Sequence, residues 1–435
     1  AVLRRVRVPC GMLGESMAAT VAATGDEEGL VTVDLVLKGG KIVAVTAPGS
    51  AAAAAWGPLT VDAGGAVVFS LFVDCHVHLV KNHAVARNRN PSGSINDALL
   101  CEVNDHPRWT DPGDVARRMD FGLQSAYHHG TKLIRTHLDG TNHPDPALRA
   151  LVYGAFDAAR QRWLPRGLEV VGVANLYLLA WLDADNAAAH AAEAARHDGV
   201  VLGAYCGDVS LNSRQEVLAA FEALFENARK FGLDVDLHID ETNNPACNGV
   251  ALLCEALEAA RARGFRGGVV LGHCCALGLQ SERDVREVIQ KLTALGPVAV
   301  VANPTTNLGL QDRRGTEPPV GVAIDRETPR TPGWRGLTLL QELDAAGVVV
   351  AAATDNAFLR RLRHAGGVVR RPDGRPPRHG PERGHVGAPG VPEPGGRPRG
   401  RAVRDRARRP RRLHPLPVGL QVDRAAGAAA RRPHR

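Results

Sequence analysis

The sequence predicts an α/β chain dominated by a closed (β/α)8 barrel of the TIM type. Eight short β-branched runs follow one another, and helix-length amphipathic segments separate them. A third observation points the same way: side chains able to hold a metal or move a proton gather where these runs end, as they do on the C-terminal rim of a barrel.

The runs cover 67–75, 132–137, 168–175, 200–205, 233–240, 268–273, 298–303 and 348–355. Between them, 114–128, 147–160, 186–196, 213–231, 250–263, 281–292 and 337–346 read as helices. Parallel strands need crossovers of this length. An open doubly wound sheet would put a Gly-rich phosphate turn after its first strand, where this chain has His76 and His78. At 435 residues the chain also leaves room for a second, smaller unit.

The first run leads into His76 and His78, the second ends in His137 and Asp139, and the fifth in His238, Asp240 and Glu241. The sixth ends in His273, the seventh in Asn303 and the eighth in Asp355. Alternate residues of a strand share a face, so His76 and His78 converge on one point, as a metal site requires. His137 reads as a hydrogen-bonding residue behind the site rather than a ligand. Lys81 and His83 stand as loop surface or substrate contacts, and Asn303, Asn307 and Gln311 as pocket lining or partners of loop backbone.

Net charge, +7 overall, is unevenly placed. Residues 359–435 hold 21 Arg against 5 acidic residues, so residues 1–358 carry −9. This tail is rich in Pro, Gly and Ala and has no Lys, Ser, Thr, Ile, Phe, Trp or Tyr, which predicts disorder. Arg-rich disorder can bind nucleic acid, but without interleaved aromatics the stacking contribution is missing, and nucleic-acid binding is disfavoured. No apolar run reaches the roughly 18 residues of a membrane span, and the basic opening lacks the apolar stretch of a secretion signal. The eight Cys are scattered with no zinc-ribbon spacing, so reduced thiols and a cytoplasmic location are expected.

His76 and His78 with Asp74, Arg135-Thr136-His137, His238-Ile239-Asp240-Glu241, Gly272-His273, Ala302-Asn303-Pro304 with Asn307 and Gln311, and Thr354-Asp355 together resemble the metal-dependent amidohydrolase superfamily. Their order is most similar to bacterial cytosine deaminase and its relatives, over residues 33–356. The resemblance implies that 1–65 forms the N-terminal part of a small β-sandwich, with a hairpin over 33–42, and that 66–358 is the barrel. It further implies one divalent metal, Fe2+ or Zn2+, on His76, His78, His238 and Asp355, with a position left for water. Glu241 would take the water proton and deliver it to a ring nitrogen, Asp355 would accept from the water, and His273 would stabilise the tetrahedral adduct. The reaction implied is hydrolytic deamination of a cytosine-like nitrogen heterocycle, with Asn175, His137 and Asn303 binding the substrate.

Binuclear members bridge two metals with a carboxylated Lys on a middle strand, and 168–175 and 200–205 contain no Lys, which favours one metal. Two departures shift the expected specificity: Asn175 stands near the place of the family's substrate-reading Gln, and Asn356 follows Asp355 in place of an acidic residue. After residue 358 the family pattern stops. Codons exist for 359–368 whose next frame reads Ser-Gly-Gly-Tyr-Gly-Thr-Leu-Glu-Val, similar to the family's loop and helix, so a frameshift is one origin for the tail. Two alternatives stay open: a cyclic amide or ureide hydrolase of the same superfamily, and a non-catalytic truncated product with a nucleic-acid-binding basic tail. The expected partner is the small-molecule substrate, with no membrane; a homo-oligomer is left open.

Overall fold

The computed structural model describes residues 1–14, 25–50, 59–84, 87–88, 90, 95–310, 336–355 and 367–368. Expectations for Gln311, Asn356 and nearly all of 359–435 therefore lie outside the described residues. The chain forms two compact units, one of residues 1–7 and 32–66, the other of residues 8–31 and those from 67 through the barrel.

The smaller unit is a four-stranded sheet of β1 (Val2–Pro9), β2 (Leu30–Lys38), β3 (Lys41–Thr46) and β4 (Thr60–Asp62), in the order β3-β2-β1-β4. β2 and β3 are the expected hairpin, and its two-residue turn, Gly39-Gly40, has φ of 60° and 78°. Positive φ at both central residues gives the turn whose twist matches that of the strands, and only glycine adopts it without strain. Val2, Val6, Val33 and Leu35 are buried. Buried Asp34 accepts from the Arg5 and Gly49 amides, each at 2.9 Å, so its charge is not stranded.

The larger unit is the barrel. Its strands are β5 (Phe72–Val77), β6 (Thr131–His137), β7 (Glu169–Tyr177), β8 (Val200–Tyr205), β9 (Val235–Ile239), β10 (Val269–His273), β11 (Val298–Ala302) and β12 (Val349–Ala352). Each pairs in parallel with the next. Closure between last and first comes from a parallel bridge of Val77 with Asp355, where the Asp355 amide donates to the His76 carbonyl at 2.8 Å. Asp74 secures the seam by accepting from the Thr354 amide (3.1 Å) and hydroxyl (2.6 Å). Beyond it, β13 (Gly367–Val368) runs antiparallel to β12.

The helices are α1 (Ile95–Asp105), α2 (Pro112–His128), α3 (Pro146–Trp163), α4 (Ala184–Ala194), α5 (Arg214–Phe231), α6 (Gly249–Ala262), α7 (Glu282–Ala294), α8 (Pro304–Leu310) and α9 (Leu340–Ala345). Their starts are legible in the residues. Asp111 and Asp145 accept from the backbone ahead of a proline at the first helical position, and Ser213 with Glu216 forms a reciprocal capping box. Strands here are buried on both faces, as in β9, where all five residues are inaccessible. Phe156, Phe221, Phe225, Trp181 and Leu253 fill the layer between helices and sheet. No described helix is long and apolar enough to cross a membrane, and all eight Cys are free thiols.

The first strand departs from expectation. It begins at Phe72, not residue 67, and Val67, Phe69 and Leu71 are 41–49% exposed. Its partner β6 opens at Thr131, opposite Phe72, so the residues upstream have no ladder to join; β-propensity alone does not hold a strand. His76 thus lies inside the strand and His78 just beyond it. Helices α1 and α8 lie outside the segments that read as helices in the sequence.

Candidate metal centre

Four side chains from three strand ends meet on the rim. His76 Nε2 and His78 Nε2 lie 3.2 and 3.1 Å from His238 Nε2, and 3.5 and 3.4 Å from Asp355 Oδ1. A tetrahedral cation with ligand bonds of about 2.0–2.1 Å separates its ligand atoms by about 3.3 Å, which these four separations match. Among the described residues, two overlapping groups are close enough to hold an ion: His76, His78, His137 and His238, and His76, His273 and Asp355. All four are buried. Burial, reinforced by neighbouring imidazoles, holds His76 and His238 well below the usual histidine range, which keeps both neutral, the form that binds a metal. Burial alone would raise Asp355, but a hydrogen bond from His78 and the surrounding imidazoles hold it below the carboxylate range, so it is ionised.

The backbone is strained at these strand ends. Asp240, His273 and Asp355 have φ of 52°, 70° and 60°, the left-handed region that non-glycine residues rarely occupy. Gly272 allows β10 to approach the centre: a Cβ there would stand 2.7 Å from His76 Cε1.

Each ligand-type histidine is backed differently. His76 Nδ1 meets His137 Nε2 at 3.1 Å, and His137 Nδ1 meets the Asn175 amide at 3.2 Å. His78 Nδ1 instead faces the Asp139 carboxylate at 2.9 and 3.1 Å. Asp139 also accepts from the Tyr205 hydroxyl at 2.8 Å and lies 3.3 Å from the Lys81 ammonium, which pairs with Glu102 at 2.9 Å. Burial would lower His78, but Asp139 outweighs it and lifts the imidazole to about 9; the same contacts hold Asp139 low against its own burial.

Glu241, the expected acid–base group, lies beside the centre. Its Oε1 lies 3.4 Å from His273 Nδ1, which also donates to Asn307 Oδ1 at 3.0 Å. Burial raises Glu241 despite the attraction of His273. The Asn303 amide nitrogen lies 3.3–3.5 Å from the His273 ring nitrogens, and the Thr338 hydroxyl fixes the His273 carbonyl at 2.6 Å.

The expected residues fall into three groups. His76, His78, His238 and Asp355 converge; Glu241, His273 and Asn303 adjoin them; Asn175 and His137 lie behind His76. His137 is wholly buried, its ring nitrogens 3.1 Å from His76 and 3.2 Å from Asn175, the place behind the site that its reading as a hydrogen-bonding residue expects. Asp240 is also removed from the chemistry: it accepts from the Gly249 and Val250 amides at the start of α6. Lys81 belongs to the Asp139 network, whereas the His83 ring packs on Phe121. Tyr205 and Glu102 were missed. Tyr205 is the last residue of β8, so the rule that selected the other rim residues could have found it; Glu102 sits on α1 and carries no such signal.

Fold and centre together define a (β/α)8 protein with a donor set for one cation on its C-terminal rim. A model of the amidohydrolase family matches residues 208–379. A pterin deaminase of Rhizobium rhizogenes is 36% identical over 339 residues, spanning 77% of this chain and 70% of that protein. Among solved structures, 5-methylcytosine deaminase from Klebsiella pneumoniae superposes with a TM-score of 0.62 at 21% identity, covering 85% of this chain and 78% of that one. N-isopropylammelide isopropylaminohydrolase from Burkholderia multivorans gives 0.53 at 20% identity, covering 82% and 74%; these two likenesses are of fold. The chain belongs to the metal-dependent amidohydrolase superfamily.

Proposed function

We propose that the protein is a hydrolytic deaminase of an amino-bearing, oxo-substituted nitrogen heterocycle, and that its substrate is a pterin-like ring. The observation that carries the reading is the convergence of His76, His78, His238 and Asp355 at coordination distance with Glu241 and His273 beside them. A divalent cation held there, zinc or iron, supplies a nucleophile at neutral pH by lowering the pKa of water toward about 7.

The protein residues perform the proton work. Glu241, raised by burial, takes one proton of the attacking water to a ring nitrogen and then carries the remaining hydroxyl proton of the adduct to the departing amine, so that both water protons are accounted for. His273, held at Nδ1 by Asn307 and Glu241, stays beside the attacked carbon and stabilises the tetrahedral adduct. Ammonia leaves, and the ring keeps a carbonyl.

Substrate reading is assigned to Asn303 and Asn307; Asn175, behind His76, acts on the His137 relay instead. Asn303 Oδ1 and Asn307 Nδ2 are buried with no protein partner, a cost of about 1–3 kcal/mol each unless a ligand supplies one. An acceptor on Asn303 and a donor on Asn307, both flanking His273, complement the adjacent N–H and C=O of a cyclic amide. A pterin carries that edge, and the identity to a pterin deaminase favours it. A cytosine-like ring offers a related edge and is the alternative substrate. Reduced thiols agree with a cytoplasmic location.

The test is ammonia release by the metal-loaded protein with pterin and with cytosine, followed by mass analysis of the product. Deaminated pterin, absent after chelation, is expected. A ring-opened acid without ammonia would replace this reading with that of a cyclic amide hydrolase.

A further inference from the structure

The environment of His78 assigns a role to a residue outside the ligand set: we propose that Asp139 is a positioning residue that sets the tautomer and basicity of His78 toward the cation. This rests on the metal reading of the four rim donors. Asp139 is 1% exposed and follows β6, on the same rim as His78. Both its oxygens lie within hydrogen-bond distance of His78 Nδ1, at 2.9 and 3.1 Å. An ionised carboxylate only accepts, so a proton stays on Nδ1, and the ring proton that a bound cation displaces is the one on Nε2. That Nε2 is the atom lying 3.1 Å from His238 Nε2 and 3.4 Å from Asp355 Oδ1.

Asp139 is itself held from two further directions. Tyr205 donates to Oδ1 at 2.8 Å, and Lys81 approaches the same oxygen at 3.3 Å while bonding Glu102 at 2.9 Å. Two carboxylates against one ammonium leave a net negative charge behind His78, which makes its Nε2 a stronger donor to a dication. Tyr205 also presents its ring to His238, with centroids 4.7 Å apart, so one side chain touches a ligand and the support of another. Among the described residues, no carboxylate or ammonium stands at hydrogen-bond distance from His76 Nδ1, which meets the His137 ring instead.

The test compares the full-length wild type with Asp139→Asn and Tyr205→Phe, reading Zn2+ affinity by competition with a chromophoric chelator and the visible spectrum of the Co2+ form. Asp139→Asn is expected to bind Zn2+ about 10–100-fold more weakly, the usual effect of losing such a partner. Its Co2+ bands should shift while its circular dichroism stays that of the wild type, which a merely structural role would not produce. Affinity within twofold of wild type in a folded Asp139→Asn protein overturns the proposal. If that variant does not fold, Tyr205→Phe decides: about threefold weaker binding supports the role, and unchanged binding overturns it. A wild-type protein that binds no stoichiometric Zn2+ fails the metal reading itself, a result distinct from equal binding by wild type and variant.

Discussion

The two sides of the centre are built from different chemistry. Behind His78 lies a charged cluster of Asp139, Lys81 and Glu102 capped by Tyr205; behind His76 lies a neutral relay of His137 and Asn175, with Asp236 reaching no closer than 4.0 Å to His137. Asp236 is occupied by Arg135 at 2.9 Å. The charged side can fix a proton because each buried charge has a partner and the penalty of desolvation is offset. On the neutral side burial holds His76 and His137 below their usual range, and neutrality is kept by exclusion of charge. Two of the expected ligands thus differ in support: the proton of His78 is set by a carboxylate, and the neutrality of His76 by dryness.

Removing what the two sides share should have the largest effect. Chelation is expected to abolish ammonia release, and Zn2+ or Fe2+ to restore it; activity surviving complete metal removal, checked by elemental analysis, would break the comparison at its root. Glu241→Gln is expected to lower kcat by about 10²–10⁴ while bound metal stays at one equivalent, since Glu241 moves protons and holds no cation. Loss of metal in that variant would make Glu241 a ligand-site residue instead.

The contrast itself is sharpened by His137→Gln, read by the same chelator competition. A neutral relay should matter less than a carboxylate, so Zn2+ affinity is expected to fall less than about 10-fold, short of the loss expected for Asp139→Asn. Equal losses would mean that charge is not what separates the two sides. A smaller effect is expected at His190, on α4 away from the centre, which burial holds down to about 4. Its folded pKa lies below the unfolded value of about 6.5, so the unfolded chain binds the proton more readily and stability falls as pH drops from 6.5 toward 4. Denaturant melts of wild type and His190→Gln across that window should converge at low pH, by roughly 3 kcal/mol at most.

Much of this molecule is written locally. The eight strands appear in order because each parallel barrel strand is a short, continuous apolar run ended by a helix cap, and both signals survive in one dimension. His76, His78, His238, Asp355, Glu241 and His273 are legible because strand ends in a barrel share one rim. Where residues 67–71 were read as strand, the apolar pattern was genuine but the partner ladder was absent, and pairing is not a local property. Nor is the support of the centre: Asp139 meets His78 across 61 residues, Tyr205 meets Asp139 across 66, and Glu102 arrives from a helix with no catalytic signature.

The order of residues by itself determined that eight strands follow one another and which histidine and acidic side chains stand at their ends. Only the folded barrel decided that His137 is sealed behind His76, that Asp240 caps α6, and that a carboxylate, an ammonium and a phenol close around His78. The physical reason is that periodicity and capping act within a few residues, whereas proton placement depends on burial and on charges a few ångströms away, distances that exist only once the barrel closes.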